Sequence, residues 1–185
     1  MEKKWQFSNG PPLGKLTPSG GREPHELGKR GRSISFGVDI PFVAHLGLEL
    51  EKFDNGDSTI GYTPKPEHLN TYSVTHGGAI MTLLDVTLAA AARSVQTDMG
   101  VVTIEMKTSF MQPAPGDGSR LTAVGRLLHR TATLAFTEAT LFDSQGRACA
   151  HATGTFKYVK RLVTGPKSSN PQSRELPIWP DLWVK

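Results

Sequence analysis

The sequence predicts an α+β domain, with an antiparallel sheet wrapped around one long buried helix. Three observations lead there. Residues 75–93, "THGGAIMTLLDVTLAAAAR", form a nearly unbroken small and apolar run without Gly or Pro after Gly78, which favours helix and requires burial on most sides. The strand-like segments around this run are joined by turn signals short enough for hairpins. In the last segment Ala148, Ala150, Ala152, Gly154 and Phe156 alternate onto one face, where small side chains let a helix backbone approach closely.

Each element follows in order. "IPFVAHLGLELEKF" reads as a short helical turn leading into a strand, and "STIGYTP" as a second strand after the turn signal "DNGD" at 54–57. The loop "KPEHLNTYSV" enters the helix, expected from Gly77 to about Val95. "VVTIEMKTSFMQP" ends at Pro113 and turns through "PGDG" at 115–118. "SRLTAVGRLLHR", "TATLAFTEATLFD" and "RACAHATGTFKYV" complete the sheet. Strands, one long helix, then strands with hairpin connections give an antiparallel architecture instead of βαβ units.

The chain of 185 residues divides into a basic N-terminal extension, 1–38, a central domain, 39–160, and a C-terminal extension, 161–185. Both extensions are rich in Gly, Pro, Ser and basic residues, and in the second Ile178, Trp179, Leu182 and Trp183 are apolar enough to dock on a surface. Residues 1–38 carry seven Lys/Arg against three acids, and residues 157–185 six against two, whereas 39–156 carries eight against twelve. The positive charge therefore lies in the tails. No recognition-helix or zinc-finger pattern accompanies it, so no nucleic-acid partner is expected. No apolar stretch reaches the roughly 18–20 residues of a membrane span, and no secretory h-region stands near the start. A single cysteine, Cys149, excludes an internal disulfide framework, and a cytoplasmic location is expected.

The chemistry centres on Asn70, His76-Gly77-Gly78 and Asp85. Paired glycines at a helix start leave backbone N–H groups bare at the positive end of the helix, where they stabilise developing negative charge on a carbonyl oxygen. Asp85 lies well inside an apolar run, where an unpartnered carboxylate either shifts its pKa upward or finds hydrogen bonds. Gly77 and Asp85 are eight residues apart on one helix, hence about 12 Å along its axis. Both can act on one bond only if one of them comes from a second chain, so a homodimer, and plausibly a homotetramer, is expected.

The arrangement Asn70-x5-His76-Gly77-Gly78-x6-Asp85, on the helix after two strands, resembles the hotdog-fold acyl-CoA thioesterases of the phenylacetate-pathway (PaaI-like) type, over about residues 41–159. The resemblance implies that the Gly77 N–H polarises the thioester carbonyl and that Asp85 of the facing subunit is nucleophile or general base. It further implies that Asn70 and His76 shape the loop and position the thioester or the water, that Thr103 helps hold the attacking water, and that no metal or organic cofactor takes part. Coenzyme A is then the leaving group. Gly78 is grouped with substrate binding, and Arg130, Thr131, Lys157, Lys160 and Arg161 are candidates for the coenzyme A phosphates. Met81, Leu84 and Leu88 are expected to help set the depth of the acyl pocket. One departure stands out: Ser73 occupies the place, three residues before the His, where the resemblance expects Gly, and a positive φ there would strain it.

Two other functions compete. A hotdog acyl hydratase or dehydratase of the MaoC type needs D-x-N-P-x-H, which this chain lacks. A non-catalytic acyl-CoA-binding or regulatory module has no need of a buried carboxylate, so Asp85 argues against it. His25, His45, His68, His129 and His151 show no metal-ligand spacing, and Cys149 has no base nearby in sequence and reads as an inert core residue.

Overall fold

The computed structural model describes residues 33–160. Helix α1 (Pro41–Leu46) leads into β1 (Glu49–Asp54) and β2 (Asp57–Tyr62). A 3-10 turn at Pro66–His68 precedes α2 (Gly77–Arg93), which is followed by β3 (Met99–Phe110), β4 (Leu121–Arg130), β5 (Leu134–Phe142) and β6 (Ala148–Lys160). The six strands form one antiparallel sheet in the order β1-β2-β4-β5-β6-β3, curled around α2. This is the hotdog architecture that the sequence predicts. Arg161, Ile178, Trp179, Leu182, Trp183 and His25 lie outside the described residues.

The β1–β2 hairpin turns through Asn55 and Gly56, with φ of 48° and 89°, the left-handed pair that a tight two-residue turn demands. At its base the Arg120 guanidinium bonds Glu49 and Glu51, and it lies across Gly61, where any side chain would collide with it. The two first strands are thereby fastened to the start of β4.

Leu83, Leu84 and Leu88 of α2 are fully buried against the sheet. Each such side chain contributes about 1.5–3 kcal/mol by leaving water. The helix lies close because Gly125 and Gly154 face it: a Cβ at Gly125 would sit 3.1 Å from the Thr87 carbonyl oxygen, and one at Gly154 3.2 Å from the Leu88 side chain. The polar groups buried at this contact are paired. The Thr87 hydroxyl donates to the Leu83 carbonyl and Ser58 Oγ donates to the Thr87 carbonyl, both at 2.7 Å. At the C-terminal end the Tyr158 hydroxyl donates to the Ala92 carbonyl at 2.8 Å, while Ser94 Oγ accepts the Gly56 N–H at 2.7 Å. The expected burial of the helix thus holds on the sheet side. A stripe one turn apart stays partly open, with Gly78 and Met81 exposed and Asp85 half-buried, because the sheet ends at β3 and curls only part of the way round.

Candidate active site

The loop Asn70–His76 is held from both sides. The Asn70 side-chain oxygen accepts the Tyr72 N–H at 2.9 Å and the Val74 N–H at 3.4 Å, and its own N–H donates to the Val74 carbonyl. Asn70 therefore acts as an Asx staple of the loop. Thr75 donates its N–H to the Ala114 carbonyl and its hydroxyl to the Pro115 carbonyl, which ties the loop to the turn after β3. Ser73 sits at φ 57°, the left-handed backbone that the sequence pattern had reserved for Gly.

His76 caps α2. Its N–H donates to the His68 carbonyl at 2.9 Å, and its Nδ1 accepts the Gly78 N–H at 2.9 Å, so the neutral ring carries its proton on Nε2. With Gly78 taken, the Gly77 N–H has no acceptor among the described residues and stands at the positive end of the helix. Against Gly77 lies Phe110, whose Cζ is 3.5 Å from where a Cβ would be.

Two turns further along, Asp85 is half-buried and receives the Thr103 hydroxyl on Oδ1 at 2.8 Å. Burial pushes its carboxyl pKa above the ordinary value, and the Thr103 hydrogen bond offsets part of that rise. A bulge in β3 aims Thr103 here. Thr103 pairs with the buried Phe156, Glu105 pairs with Thr155, and Ile104 is the extra residue between them.

The catalytic candidates thus fall into two groups at opposite ends of the open stripe: Asn70, His76, Gly77 and Gly78 at the helix start, and Asp85 with Thr103 about 12 Å along it. The phosphate candidates lie elsewhere. Arg130 is exposed and shares one transverse row with Ala135, Phe156 and Thr103, three strand spacings or about 14 Å from Thr103. The Thr131 hydroxyl oxygen accepts the Thr133 and Leu134 N–H groups and so shapes the β4–β5 turn. Lys157 is exposed between the buried Phe156 and Tyr158, hence on the sheet face away from α2, and Lys160 is exposed at the end of β6. Of the residues expected to set pocket depth, Leu84 and Leu88 are wholly in the core, and Met81 lies on the open stripe at 42% exposure. Cys149 is buried, its thiol pushed up to about 12 mainly by that burial. No three His, Cys, Asp or Glu side chains gather as a metal-ligand group among the described residues.

Residues 72–150 match the model of the thioesterase superfamily. Over that stretch, less than half of the chain, the sequence is similar to this superfamily, and the fold is that of a hotdog domain. Among individual proteins, the chain is similar to the medium/long-chain acyl-CoA thioesterase YigI of Salmonella typhimurium, 27% identical over 139 aligned positions, which span 65% of this chain and 87% of YigI. Of solved structures, the conserved protein PA5202 of Pseudomonas aeruginosa superposes with a TM-score of 0.62 at 26% identity, covering 65% of this chain and 95% of PA5202. The E. coli PaaI protein from the phenylacetic acid degradation operon superposes equally well, with a TM-score of 0.62 at 21% identity and coverage of 65% and 86%, a likeness of fold.

Proposed function

We propose that this protein is an acyl-CoA thioesterase, a thioester hydrolase that works as a dimer with its active site between subunits. The observation that carries the reading is the half-buried Asp85. It is held by Thr103 and pushed up in pKa, and it shares an open helix stripe with the bare Gly77 amide. A carboxylate kept at this energetic cost on a surface that the chain itself leaves uncovered fits a catalytic group better than a structural one.

The edge strand β3 supplies the means of dimerisation. It is twelve residues long, it ends the sheet, and Thr103, Ile104, Glu105, Lys107, Ser109 and Phe110 along it are exposed. Such an edge is a template for another strand. An antiparallel two-fold pairing that sets Glu105 against the partner's Lys107 brings Thr103, across the Ile104 bulge, opposite the partner's Thr108, on the same face as the partner's Phe110 and two residues from it. Because Phe110 packs on Gly77 and Thr103 bonds Asp85, this pairing carries each Asp85 to the other chain's helix start.

In that site the Gly77 N–H donates to the thioester carbonyl oxygen and stabilises the charge that grows there, a contribution of about 3 kcal/mol for one such donor. Asp85 of the partner subunit takes a proton from water as the water oxygen bonds to the carbonyl carbon. The C–S bond then breaks, and the thiolate of coenzyme A leaves and is protonated. The raised pKa suits a base, since it lies nearer the working pH than that of an ordinary carboxylate; direct attack by Asp85 through an anhydride is the other route. His76 holds the helix start, Thr103 orients the carboxylate, and Arg130 and Lys160, exposed at the end of the sheet on the row of Thr103 and beyond it, are the cations for the coenzyme A phosphates.

The test is release of free thiol from a panel of acyl-CoAs by wild type and Asp85→Asn. A drop of at least about a hundredfold with the fold intact supports the reading. Unchanged hydrolysis removes Asp85 from the mechanism, and acyl-CoA binding without any hydrolysis shifts the function to a binding module.

A further inference from the structure

Phe110 is the last residue of β3, and it pairs with Ala150 on the same sheet face as the Met106–Gly154 and Thr108–Ala152 pairs, the face turned towards α2. Its ring nevertheless stays 52% exposed, and its Cζ and Cε1 come within 3.5 and 3.6 Å of the Cβ position of Gly77. Met81, one turn along α2 from Gly77, and Met111, next to Phe110, are 42% and 43% exposed. Large apolar side chains left open beside a polar donor mark a place where apolar matter binds.

We propose that Phe110 is the specificity-determining residue of the site: it forms the wall along which the acyl chain lies, and it selects thioesters with an extended apolar chain over short ones. The proposal rests on the thioesterase reading above and names the substrate class of that site. The Phe110 ring lies against Gly77, beside the amide proposed to hold the thioester carbonyl, so an arm of the thioester that leaves the carbonyl on this side meets the ring. That arm is the acyl chain. The coenzyme A arm carries amides and phosphates, for which Phe110, Met81 and Met111 offer no partner. The cationic candidates of the rim, Arg130 and Lys160, stand at the other end of the sheet, on the row of Thr103 and beyond it. Across the proposed dimer this places them on the partner's side of the site, so the two arms diverge, one along Phe110 and the other towards the partner's cations.

The experiment measures kcat/KM of the full chain on acetyl-, hexanoyl-, decanoyl- and benzoyl-CoA for wild type, Phe110→Ala and Phe110→Leu, with a thermal melt of each. The expected result is a decanoyl-to-acetyl ratio that falls at least tenfold in Phe110→Ala and is largely restored in Phe110→Leu, with the three melting temperatures close together. An equal loss on every substrate would assign Phe110 to the coenzyme A arm or to folding and overturn the proposal, as would an unchanged ratio. Hydrolysis of none of these thioesters by wild type would overturn the thioesterase reading itself, and this proposal with it.

Discussion

The two sides of α2 differ in what they are made for. The side facing the sheet carries Leu83, Leu84 and Leu88 at 0% exposure, with its hydroxyls returned to backbone carbonyls and glycines opposite to bring the helix near. The other side carries the exposed Gly78 and Met81 and the half-buried Asp85, a carboxylate held off its ordinary pKa. One helix thus has a side that stabilises the fold and a side whose groups cost stability. The contrast teaches that substitutions on the two sides should separate cleanly, stability from activity.

The largest expected effect is on the closed side. Leu83→Ala leaves a cavity against the sheet and should lower unfolding free energy by about 2–5 kcal/mol in a denaturant titration. A value near that of an exposed leucine would break the comparison. On the open side, Asp85→Asn should lower kcat by about a hundredfold or more while leaving the protein at least as stable. The folded-state pKa of Asp85 is raised, so the native chain binds more protons than the unfolded one between the two pKa values, and ionisation costs stability as pH rises through that window. Asp85→Asn should therefore raise Tm at neutral pH, and the gain should vanish below the unfolded carboxylate pKa of about 4.

Thr103→Val sharpens the same point. The hydrogen bond from Thr103 lowers the Asp85 pKa against the upward push of burial, so its removal should move the acid limb of the pH–rate profile to higher pH. A merely structural threonine would leave that limb in place. The smallest effect is at Ser73. Its φ of 57° strains a side-chain-bearing residue, and Ser73→Gly should stabilise the chain by up to about 1 kcal/mol without changing which acyl-CoAs are hydrolysed. Thermal melts and the acyl-CoA panel check both halves of that statement.

How far the sequence could be read follows the same division. The helix from Gly77, the Asn-Gly hairpin and the alternating face of β6 are local signals with a single reading, and the structure has all three, except that a bulge at Cys149 takes Ala148 off the face that Ala150, Ala152, Gly154 and Phe156 share. The positive φ at Ser73 was also marked in the sequence, by the Gly that the pattern expects there. What the sequence conceals depends on irregularity and on chain ends meeting. In β3 from Val102 onward the apolar residues Val102, Ile104, Met106 and Phe110 all stand at even positions, so plain alternation turns them inward and Thr103 outward. The bulge at Ile104 reverses this before the break, sending Thr103 inward to Asp85 and leaving Ile104 47% exposed. No propensity marks that bulge. Phe110 was equally hidden, because its contact with Gly77 joins residues 33 apart whose meeting only the topology decides. Arg130 reads as ordinary surface charge until the register sets it on the row of Thr103.

The central claim is that Gly77 of one chain and Asp85 of another serve one site, and subunit mixing tests it most directly. Gly77→Pro removes the N–H at a helical position that tolerates proline, and Asp85→Asn removes the carboxylate. Each variant alone should be nearly inactive. Co-expressed or co-refolded in equal amounts, they form heterodimers in which one of the two sites is intact, so about a quarter of wild-type activity should return. Mixed dimers that form but stay as inactive as their parents would contradict the account and place both groups in separate sites or in none.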